Sequence, residues 1–178
     1  MGLKDSAEDK NQREEGMCMG TVNERSISQY PRDLMCGCIA GDTMILMGDG
    51  ARKRICDVRI GERIAQPDDG RPILVQNVWK GWEEELIAIR TQDGGFLQMT
   101  EEHPVRQESG FIRAGELKPG DMIYGEEGRT MTVVSVNKEL YNGFVCNLDL
   151  QRDGTYVGNG YFLANGIAVG DNRMENGL

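Results

Sequence analysis

The chain has 178 residues and a formal net charge of −9 at pH 7. This length predicts a single domain, or a single domain with tails. The acidic balance argues against a nucleic-acid partner, because phosphate binding needs a basic face. No apolar run is long enough to span a bilayer and no signal-peptide core follows the N-terminus, so we expect no membrane partner. We expect a monomer.

The five cysteines are an odd number. Without a signal peptide, such a count does not indicate a disulfide framework. We therefore expect reduced thiols in a reducing environment such as the cytoplasm, while the compartment itself stays open. Cys56 and Cys146 lie in apolar strand contexts, and we interpret both as core residues.

In chain order, residues 1–35 come first and are polar, with few apolar residues and no hydrophobic period. This composition predicts a disordered N-terminal arm. From residue 36 onwards, β-like runs and glycine turns replace the polar composition of the arm, and a compact domain is predicted to run to residue 172. Residues 173–178 are then a C-terminal tail.

Short β-like runs separated by glycine-containing turns fill this domain, and helical periodicity is hard to find. The strand candidates are residues 43–47, 51–55, 73–80, 86–91, 96–100, 131–136, 144–150, 155–157 and 161–168. With 24 glycines to supply the turns, the pattern predicts an all-β domain with short strands.

The domain also contains an internal repeat. Residues 57–64 are echoed by residues 116–123, where acidic, apolar and basic residues, then Gly, an acidic residue and Ile recur in the same places. The echo continues with residues 75–80 against 133–138 and residues 86–89 against 145–148. The repeat predicts two copies of one β unit that pack about a pseudo-two-fold axis, with a cleft at that axis for Cys38.

Cys38 lies near the predicted boundary between the arm and the domain, where it is well placed to act on the Gly37–Cys38 peptide bond. It opens the run Cys-Ile-Ala-Gly-Asp-Thr at residues 38–43. Further along, Thr100 is followed three residues later by His103, the only histidine, and residues 145–148 read Val-Cys-Asn-Leu.

These three motifs, in this order, resemble those of the Hint domain, which inteins, bacterial intein-like domains and hedgehog autoprocessing modules share. The resemblance covers residues 38–172 and is closest to the bacterial intein-like domains. It implies a horseshoe-shaped all-β fold built from two pseudo-symmetric β subdomains. It also implies self-processing activity, with the arm as an extein-like flanking segment in cis.

The chemistry that the resemblance implies begins with an N-to-S acyl shift. Cys38 attacks the carbonyl carbon of Gly37, and the peptide bond becomes a thioester. His103 acts as the general acid for the Cys38 nitrogen, since its charge changes near neutral pH. Thr100 holds the scissile peptide. A residue without Cβ suits a strained bond at Gly37.

Three further residues are candidates for a supporting role: Asn147, Asp171 and Cys36. A metal site on Cys36, Cys38, His103 and Cys146 is the weaker alternative, since Cys-x-Cys is not the usual zinc spacing. We expect no metal and no cofactor. Taken singly, Cys38 also fits a buried apolar position, and His103 a structural one.

Two registers are open for the C-terminal end of the domain. In the first, the end pair is Ala164–Asn165, followed by Gly166. In the second, residues 162–166 are the final block and the end residue is Asp171 or Asn172. Both Asn165 and Asn172 are therefore candidates for the asparagine that cyclises in splicing inteins.

Either register lacks the histidine that precedes this asparagine in inteins, and the next residue has neither a hydroxyl nor a thiol. We therefore expect cleavage at Gly37–Cys38, with the thioester resolved by water or by an external thiol or amine, and splicing weak or absent. Two alternatives stay open: a hedgehog-like transfer of the N-terminal segment to a small nucleophile, and an inert Hint-shaped linker or binding module.

Overall fold

The computed structural model describes residues 19–20, 37–152 and 160–175. Most of the predicted arm, Cys36 and the strand predicted at residues 155–157 lie outside these residues. Within the described part the chain consists mainly of strands, and the prediction of an all-β fold is confirmed. No helix in the described part is long and apolar enough to cross a membrane.

The strands of the described chain are mostly short, and two are very long. They are β1 (Met19–Gly20), β2 (Ile39–Ala40), β3 (Met44–Leu46), β4 (Arg52–Arg54), β5 (Arg63–Ala65), β6 (Pro72–Thr91), β7 (Phe96–Met99), β8 (Pro104–Gln107), β9 (Gly110–Arg113), β10 (Met122–Tyr124), β11 (Thr130–Leu150), β12 (Tyr161–Ala164) and β13 (Ile167–Gly170). A four-residue helix, α1, follows at Asn172–Glu175, and 3-10 helices form at Ile55–Asp57, Ala114–Glu116 and Glu126–Gly128.

The described strands form two sheets. In the first, the order is β1-β6-β7-β2-β11-β10, with β5 also on β6 and with β6 also paired to β11. In the second, the order is β4-β3-β12-β13-β8-β9. Buried apolar side chains from both sheets, such as Ile39, Leu148 and Phe162, pack in one cluster. Strand β2, which follows Cys38, is therefore an interior strand with a neighbour on each side.

β6 and β11 are each one continuous strand of 20 and 21 residues, where the sequence predicts two strands separated by a break. Residues 81–85, a glycine, a tryptophan and three glutamates, lie inside β6 because β11 pairs with this segment. Cross-strand hydrogen bonds and neighbours thus override local β propensity. A register shift between Leu140 and Gly143 interrupts the ladder at that level, and such irregularities let long strands bend.

The internal repeat is visible in the hydrogen bonds. Each copy runs from a 3-10 helix through a glycine turn and a short strand into a long strand. Gly61 and Gly120 both have positive φ, 89° and 97°, which a glycine adopts without steric cost. The Gly61 N–H donates to the Val75 carbonyl at 2.9 Å, and the Gly120 N–H donates to the Val133 carbonyl at 2.8 Å. The prediction of two pseudo-symmetric β subdomains is confirmed.

Candidate functional site

The register of β2 determines which side chains flank Cys38. Strand β2 runs antiparallel to β7, with Ile39 opposite Met99, and antiparallel to β11, with Cys146 opposite Ile39. One residue further out, Cys38 has Thr100 on one side and Asn147 on the other. Residues 100 and 147 thus meet at Cys38 because the two subdomains contribute the strands on either side of it.

Both polar atoms of the Gly37–Cys38 peptide bond are held by side chains. The Cys38 N–H donates to Thr100 Oγ1 at 2.9 Å, and the Thr100 N–H donates to the Cys38 carbonyl at 2.9 Å. On the other side, Asn147 Nδ2 donates to the Gly37 carbonyl oxygen. Asn147 Oδ1 accepts the Leu148 N–H at 2.8 Å, which orients the amide. The bond is clamped at its nitrogen and at its oxygen.

The side chains around this bond are buried from solvent. Cys38, Asn147 and His103 are each 0% exposed. In a medium of low polarity, hydrogen bonds to the Gly37 carbonyl are electrostatically stronger than in water. An amide donor that already points at this oxygen is the arrangement that stabilises negative charge developing there.

His103 lies between the two ends of the domain. It closes the turn that starts at Thr100, with its N–H donating to the Thr100 carbonyl at 3.2 Å. Its ring faces backbone groups of Gly37 and Gly170. Neither ring nitrogen forms a hydrogen bond of regular geometry within the described residues. The ring nitrogens are thus close to both segments and are not committed to either.

Burial lowers the pKa of His103 from 6.5 to about 4, and the backbone groups of Gly37 and Gly170 act in the opposite direction with a smaller effect. At neutral pH the imidazole is therefore uncharged. A neutral imidazole has one N–H to give and one lone pair to accept a proton. Negative charge that develops beside it favours the imidazolium form. His103 is thus suited to take up and pass on a proton during a reaction.

The structure contradicts the expectation of reduced thiols at one pair. Cys56 and Cys146 form a disulfide with a Cα–Cα distance of 5.8 Å and a sequence separation of 90. An odd number of cysteines does not exclude one pair. The sequence also indicates that both are core residues. Cys146 is buried, while Cys56 is partly buried and packs against the core. The partners are invisible in the sequence because the fold alone brings the 3-10 helix at Ile55–Asp57 against β11.

Gly41 in the first motif lies where these elements meet. Its N–H donates to the Phe144 carbonyl at 2.8 Å, and its N–H also lies 3.0 Å from the Tyr141 hydroxyl oxygen. A Cβ at this position would lie 2.6 Å from Cys56 Sγ. The motif therefore needs glycine here for close packing beside the disulfide, whose other half, Cys146, precedes Asn147.

Asn165 lies away from the Cys38 site, in the turn of the β12–β13 hairpin. It has a φ of 50°, and Gly166 follows with a φ of 80°, as a type I′ turn requires. Its Oδ1 accepts the Met44 N–H at 2.9 Å, and its Nδ2 donates to the Phe96 carbonyl at 3.0 Å. The chain continues through β13 in the same sheet, beyond the end that the first register predicts.

Asp171, by contrast, lies at the end of β13 and is fully buried. Its carboxylate accepts the Leu150 N–H at 3.1 Å, the Met174 N–H at 3.0 Å and Arg152 Nη2 at 2.8 Å. Its own N–H donates to the Gly160 carbonyl at 2.6 Å. Burial raises the pKa of this carboxyl, and the Leu150 N–H and the Arg152 guanidinium act in the opposite direction.

Asn172, the next residue, is 9% exposed. Its Nδ2 donates to Asp149 Oδ1 at 3.2 Å. Asp149 and Arg152 are thus two residues of this end that the sequence reasoning missed. For Asp149, the sequence offers one indication: the alternation of side chains along β11 places it two residues after Asn147 on the same face of the strand.

The weaker alternative of a metal site loses a ligand, because Cys146 is bound to Cys56. Cys36 lies outside the described residues. Within the described part, no group of three or more His, Cys, Asp or Glu side chains is arranged to hold a metal ion.

Among solved structures, the fold is similar to those of inteins. It matches the gp41-1 intein with a TM-score of 0.66 at 22% identity, covering 77% of this chain and 100% of that one. A bacterial intein-like domain from Clostridium thermocellum matches with a TM-score of 0.65 at 21% identity, covering 77% and 99%. A DnaB intein from Synechocystis sp. PCC 6803 matches with a TM-score of 0.64 at 21% identity, covering 76% and 98%. The predicted Hint fold is confirmed.

Two curated proteins match in sequence over about half of this chain. The DNA-directed RNA polymerase subunit Rpo1N of Methanocaldococcus jannaschii is 32% identical over 101 residues, which is 52% of this chain and 8% of that protein. The replication factor C small subunit of Pyrococcus furiosus is 34% identical over 106 residues, which is 48% of this chain and 12% of that protein. This chain thus spans only a small part of the length of either relative. No protein-family model matches the chain.

Proposed function

We propose that the chain is a self-processing domain that rearranges and cleaves the peptide bond between Gly37 and Cys38. The observation that carries the proposal is the clamp on this bond, with its N–H on Thr100 and its carbonyl oxygen on Asn147. An ordinary buried peptide bond is satisfied by backbone partners of its sheet. Here side chains take both places, next to a cysteine.

In the first step, Cys38 Sγ attacks the carbonyl carbon of Gly37. The carbon–sulfur bond forms, and the bond between that carbon and the Cys38 nitrogen breaks, which leaves a thioester and a free amine. Negative charge passes through the Gly37 oxygen, where Asn147 Nδ2 is already in place. Removing one such donor from other enzymes costs about 3–4 kcal/mol of transition-state stabilisation.

The proton of the thiol has to reach the leaving nitrogen. Neutral His103 can accept a proton as the charge develops and then give it to the Cys38 nitrogen, in line with its low pKa in the resting state. Thr100 Oγ1 already contacts the Cys38 nitrogen at 2.9 Å. Since a hydroxyl both accepts and donates, Thr100 holds this nitrogen before and after the bond breaks.

Water or an external thiol or amine then resolves the thioester and releases the segment that ends at Gly37. Splicing is weak or absent in this proposal, because the residue after Asn172 is Arg173, which offers no acceptor. Two lines support self-processing in general. One is the fold shared with inteins and an intein-like domain. The other is the pair of short matches inside two much longer proteins of different name, as an embedded module would produce.

The test is intact mass spectrometry of the full chain, incubated at neutral pH with a nucleophile. Dithiothreitol would also reduce the Cys56–Cys146 disulfide, so hydroxylamine is used beside it as a nucleophile that leaves disulfides intact. We expect release of the segment that ends at Gly37, and with hydroxylamine its hydroxamate. Cys38→Ala abolishes both products.

An unchanged mass of the parent chain with every nucleophile would overturn the proposal and leave the inert module. Release by Cys38→Ala at the parental rate would equally overturn it. A release that needs one specific small nucleophile, and occurs with neither water nor thiols, would point instead to hedgehog-like transfer.

A further inference from the structure

The side chain of Cys38 packs in a small apolar cluster that is separate from the main core. The cluster also contains Ala40, Leu86 and Val145, and each of the four residues is at most 2% exposed. Within the described part of the chain, Tyr141 is the partly buried residue that packs against this cluster. The Tyr141 ring therefore lies between the cluster of Cys38 and the solvent.

A β-bulge in β11 determines the direction of this ring. The register of β11 against β6 shifts between residues 140 and 143, so that Tyr141 and Asn142 lie opposite a single residue of β6. A bulge of this kind bends its strand and re-aims a side chain. Asn142 has a φ of 52°, a left-handed conformation that asparagine adopts more readily than most residues. The bulge thus turns Tyr141 towards the cluster, while Leu140 before it is 77% exposed.

The Tyr141 ring is also fixed in place. A Cβ on Gly143 would lie 2.7 Å from the Cε1 atom of the ring, so glycine leaves the space that the ring occupies. The Tyr141 hydroxyl donates to the Phe144 carbonyl at 2.8 Å and accepts the Gly41 N–H at 3.0 Å. Burial raises the pKa of this hydroxyl, so it keeps its proton at neutral pH. Because Gly41 follows Cys38 by three residues, the ring is anchored to the segment that carries the reacting sulfur.

We propose that Tyr141 is a specificity-determining residue, whose ring controls access to the Cys38 sulfur and admits small nucleophiles to the thioester in preference to bulky ones. The inference rests on the proposed function and deepens it by naming the size class of the nucleophile.

The step concerned is the resolution of the thioester. The nucleophile attacks the Gly37 carbonyl carbon, and a bond forms between that carbon and the attacking atom. The carbon–sulfur bond breaks, its electron pair leaves with the Cys38 sulfur, and the sulfur takes up the proton that the nucleophile loses. Since this sulfur belongs to the cluster that Tyr141 covers, any group attached to the nucleophile has to fit beside the ring.

The test is a competition between hydroxylamine and O-benzylhydroxylamine, which share the reacting nitrogen and differ in size. The full chain is incubated at neutral pH with both at equal concentration. Intact mass spectrometry then gives the ratio of the two hydroxamates of the segment that ends at Gly37. Both products arise from one thioester, so their ratio does not depend on how fast the thioester forms. A short peptide thioester with a C-terminal glycine gives the reference ratio in the same mixture.

The parent chain is expected to favour hydroxylamine more strongly than the peptide thioester does. Tyr141→Ala should lower this preference about tenfold, the discrimination that a few atoms of a pocket supply. Tyr141→Phe keeps the ring and should keep most of the preference. The matched control is Tyr124→Ala, because Tyr124 is also partly buried but packs against a different cluster. This control should give the parental ratio.

A second measurement follows access to Cys38 without the proposed reaction. The thiol is alkylated with iodoacetamide, and peptide mapping gives the rate at Cys38. Tyr141→Ala should raise this rate, because a covered thiol reacts only on local opening, whereas Tyr124→Ala should leave it unchanged. Urea unfolding shows whether each variant is folded. If Tyr141→Ala is not, Tyr141→Leu takes its place in both measurements, with smaller changes in the same direction.

A parental hydroxamate ratio in folded Tyr141→Ala, or in Tyr141→Leu where that variant replaces it, would overturn the inference and leave the proposed function intact. A parent ratio equal to that of the peptide thioester would do the same. If the parent chain forms no hydroxamate, the proposed function fails and alkylation decides the role of Tyr141 alone. Faster alkylation at Cys38 in the variant would then support control of access, and equal rates would overturn it.

Discussion

The bond at Gly37–Cys38 is surrounded by neutral polar side chains, whereas the bond at Asn172–Arg173 has charged side chains around it. The His103 ring faces the backbone that leads to each of these bonds. The first bond is held inside a sheet by two neutral side chains, Thr100 and Asn147. The second follows the last strand and is surrounded by two buried carboxylates and one guanidinium.

This difference teaches that the two ends are held by different kinds of interaction. At the first, neutral side chains satisfy both polar atoms of a peptide bond, and an amide that points at the carbonyl oxygen suits the negative charge that develops there in the proposed reaction. At the second, buried carboxylates need a cation or amide donors to compensate their charge. The two ends should therefore respond to different substitutions.

The largest effect is expected for Asn147→Ala. Loss of the donor to the Gly37 oxygen should slow cleavage at Gly37–Cys38 by about 10²–10³-fold, or about 3–4 kcal/mol. The rate is read from a mass-spectrometric time course, and Asn137→Ala, on an outer part of β11, is the control. A parental rate in Asn147→Ala, or an equal slowing by Asn137→Ala, would contradict this role of Asn147.

The disulfide belongs to the Gly37–Cys38 side, because it ties β11 beside Asn147 to the 3-10 helix at Ile55–Asp57. Cys56→Ala with Cys146→Ala should lower the free energy of unfolding by about 2–5 kcal/mol, since a long loop is no longer closed in the unfolded chain. Urea unfolding with and without reductant measures this effect. Reductant should destabilise the parent and leave the double variant unchanged. A parent insensitive to reductant would contradict the prediction.

His103 should make stability depend on pH. Its folded pKa of about 4 lies below the unfolded value of 6.5, so the unfolded chain binds the extra proton as the pH falls. The contribution of the buried, neutral His103 to the free energy of unfolding is complete above pH 6.5 and is lost as the pH falls towards 4. The parent should lose about 3 kcal/mol over this interval relative to His103→Gln. Parallel pH profiles from urea unfolding would show that the ring is not buried as described.

The smallest effect is expected at Asn165, which belongs to neither bond. Asn165→Ala removes the hydrogen bonds to Met44 and Phe96 and places a β-carbon at positive φ. We expect a loss of about 1–2 kcal/mol of unfolding free energy, with cleavage at Gly37–Cys38 at the parental rate. Asn165→Gly, which tolerates this φ, should lose less. Slower cleavage at Gly37–Cys38 in a variant that unfolds at the expected free energy would show that Asn165 also acts on that site.

Much of the first bond's surroundings is predictable from local patterns. Thr100 and His103 form a motif. Thr100 contacts Cys38 because β7 ends beside the start of β2, and the His103 ring faces the backbone of Gly37. Gly61 and Gly120 reveal the duplication, since a turn that needs positive φ selects glycine wherever it recurs. Asn147 is named by its motif, but only the pairing of β11 with β2 places its amide on the Gly37 oxygen.

The second bond's surroundings are not predictable in this way. Asp149 and Asp171 are 22 positions apart and follow no spacing rule, so nothing local marks them as neighbours. The Cys56–Cys146 pair is hidden for the same reason. The Asn165–Gly166 turn also resembles a domain end in sequence, whereas in the fold its side chain is needed to hold β3 and β7.

The sequence by itself determined the β class and the duplication and marked Cys38, Thr100 and His103 as candidates, because periodicity, turn glycines and short motifs are local properties. Tertiary structure decided the strand register, the disulfide and the carboxylate beside Asn172. These depend on contacts between distant segments, whose loop-closure cost is repaid only when both subdomains pair along β6 and β11.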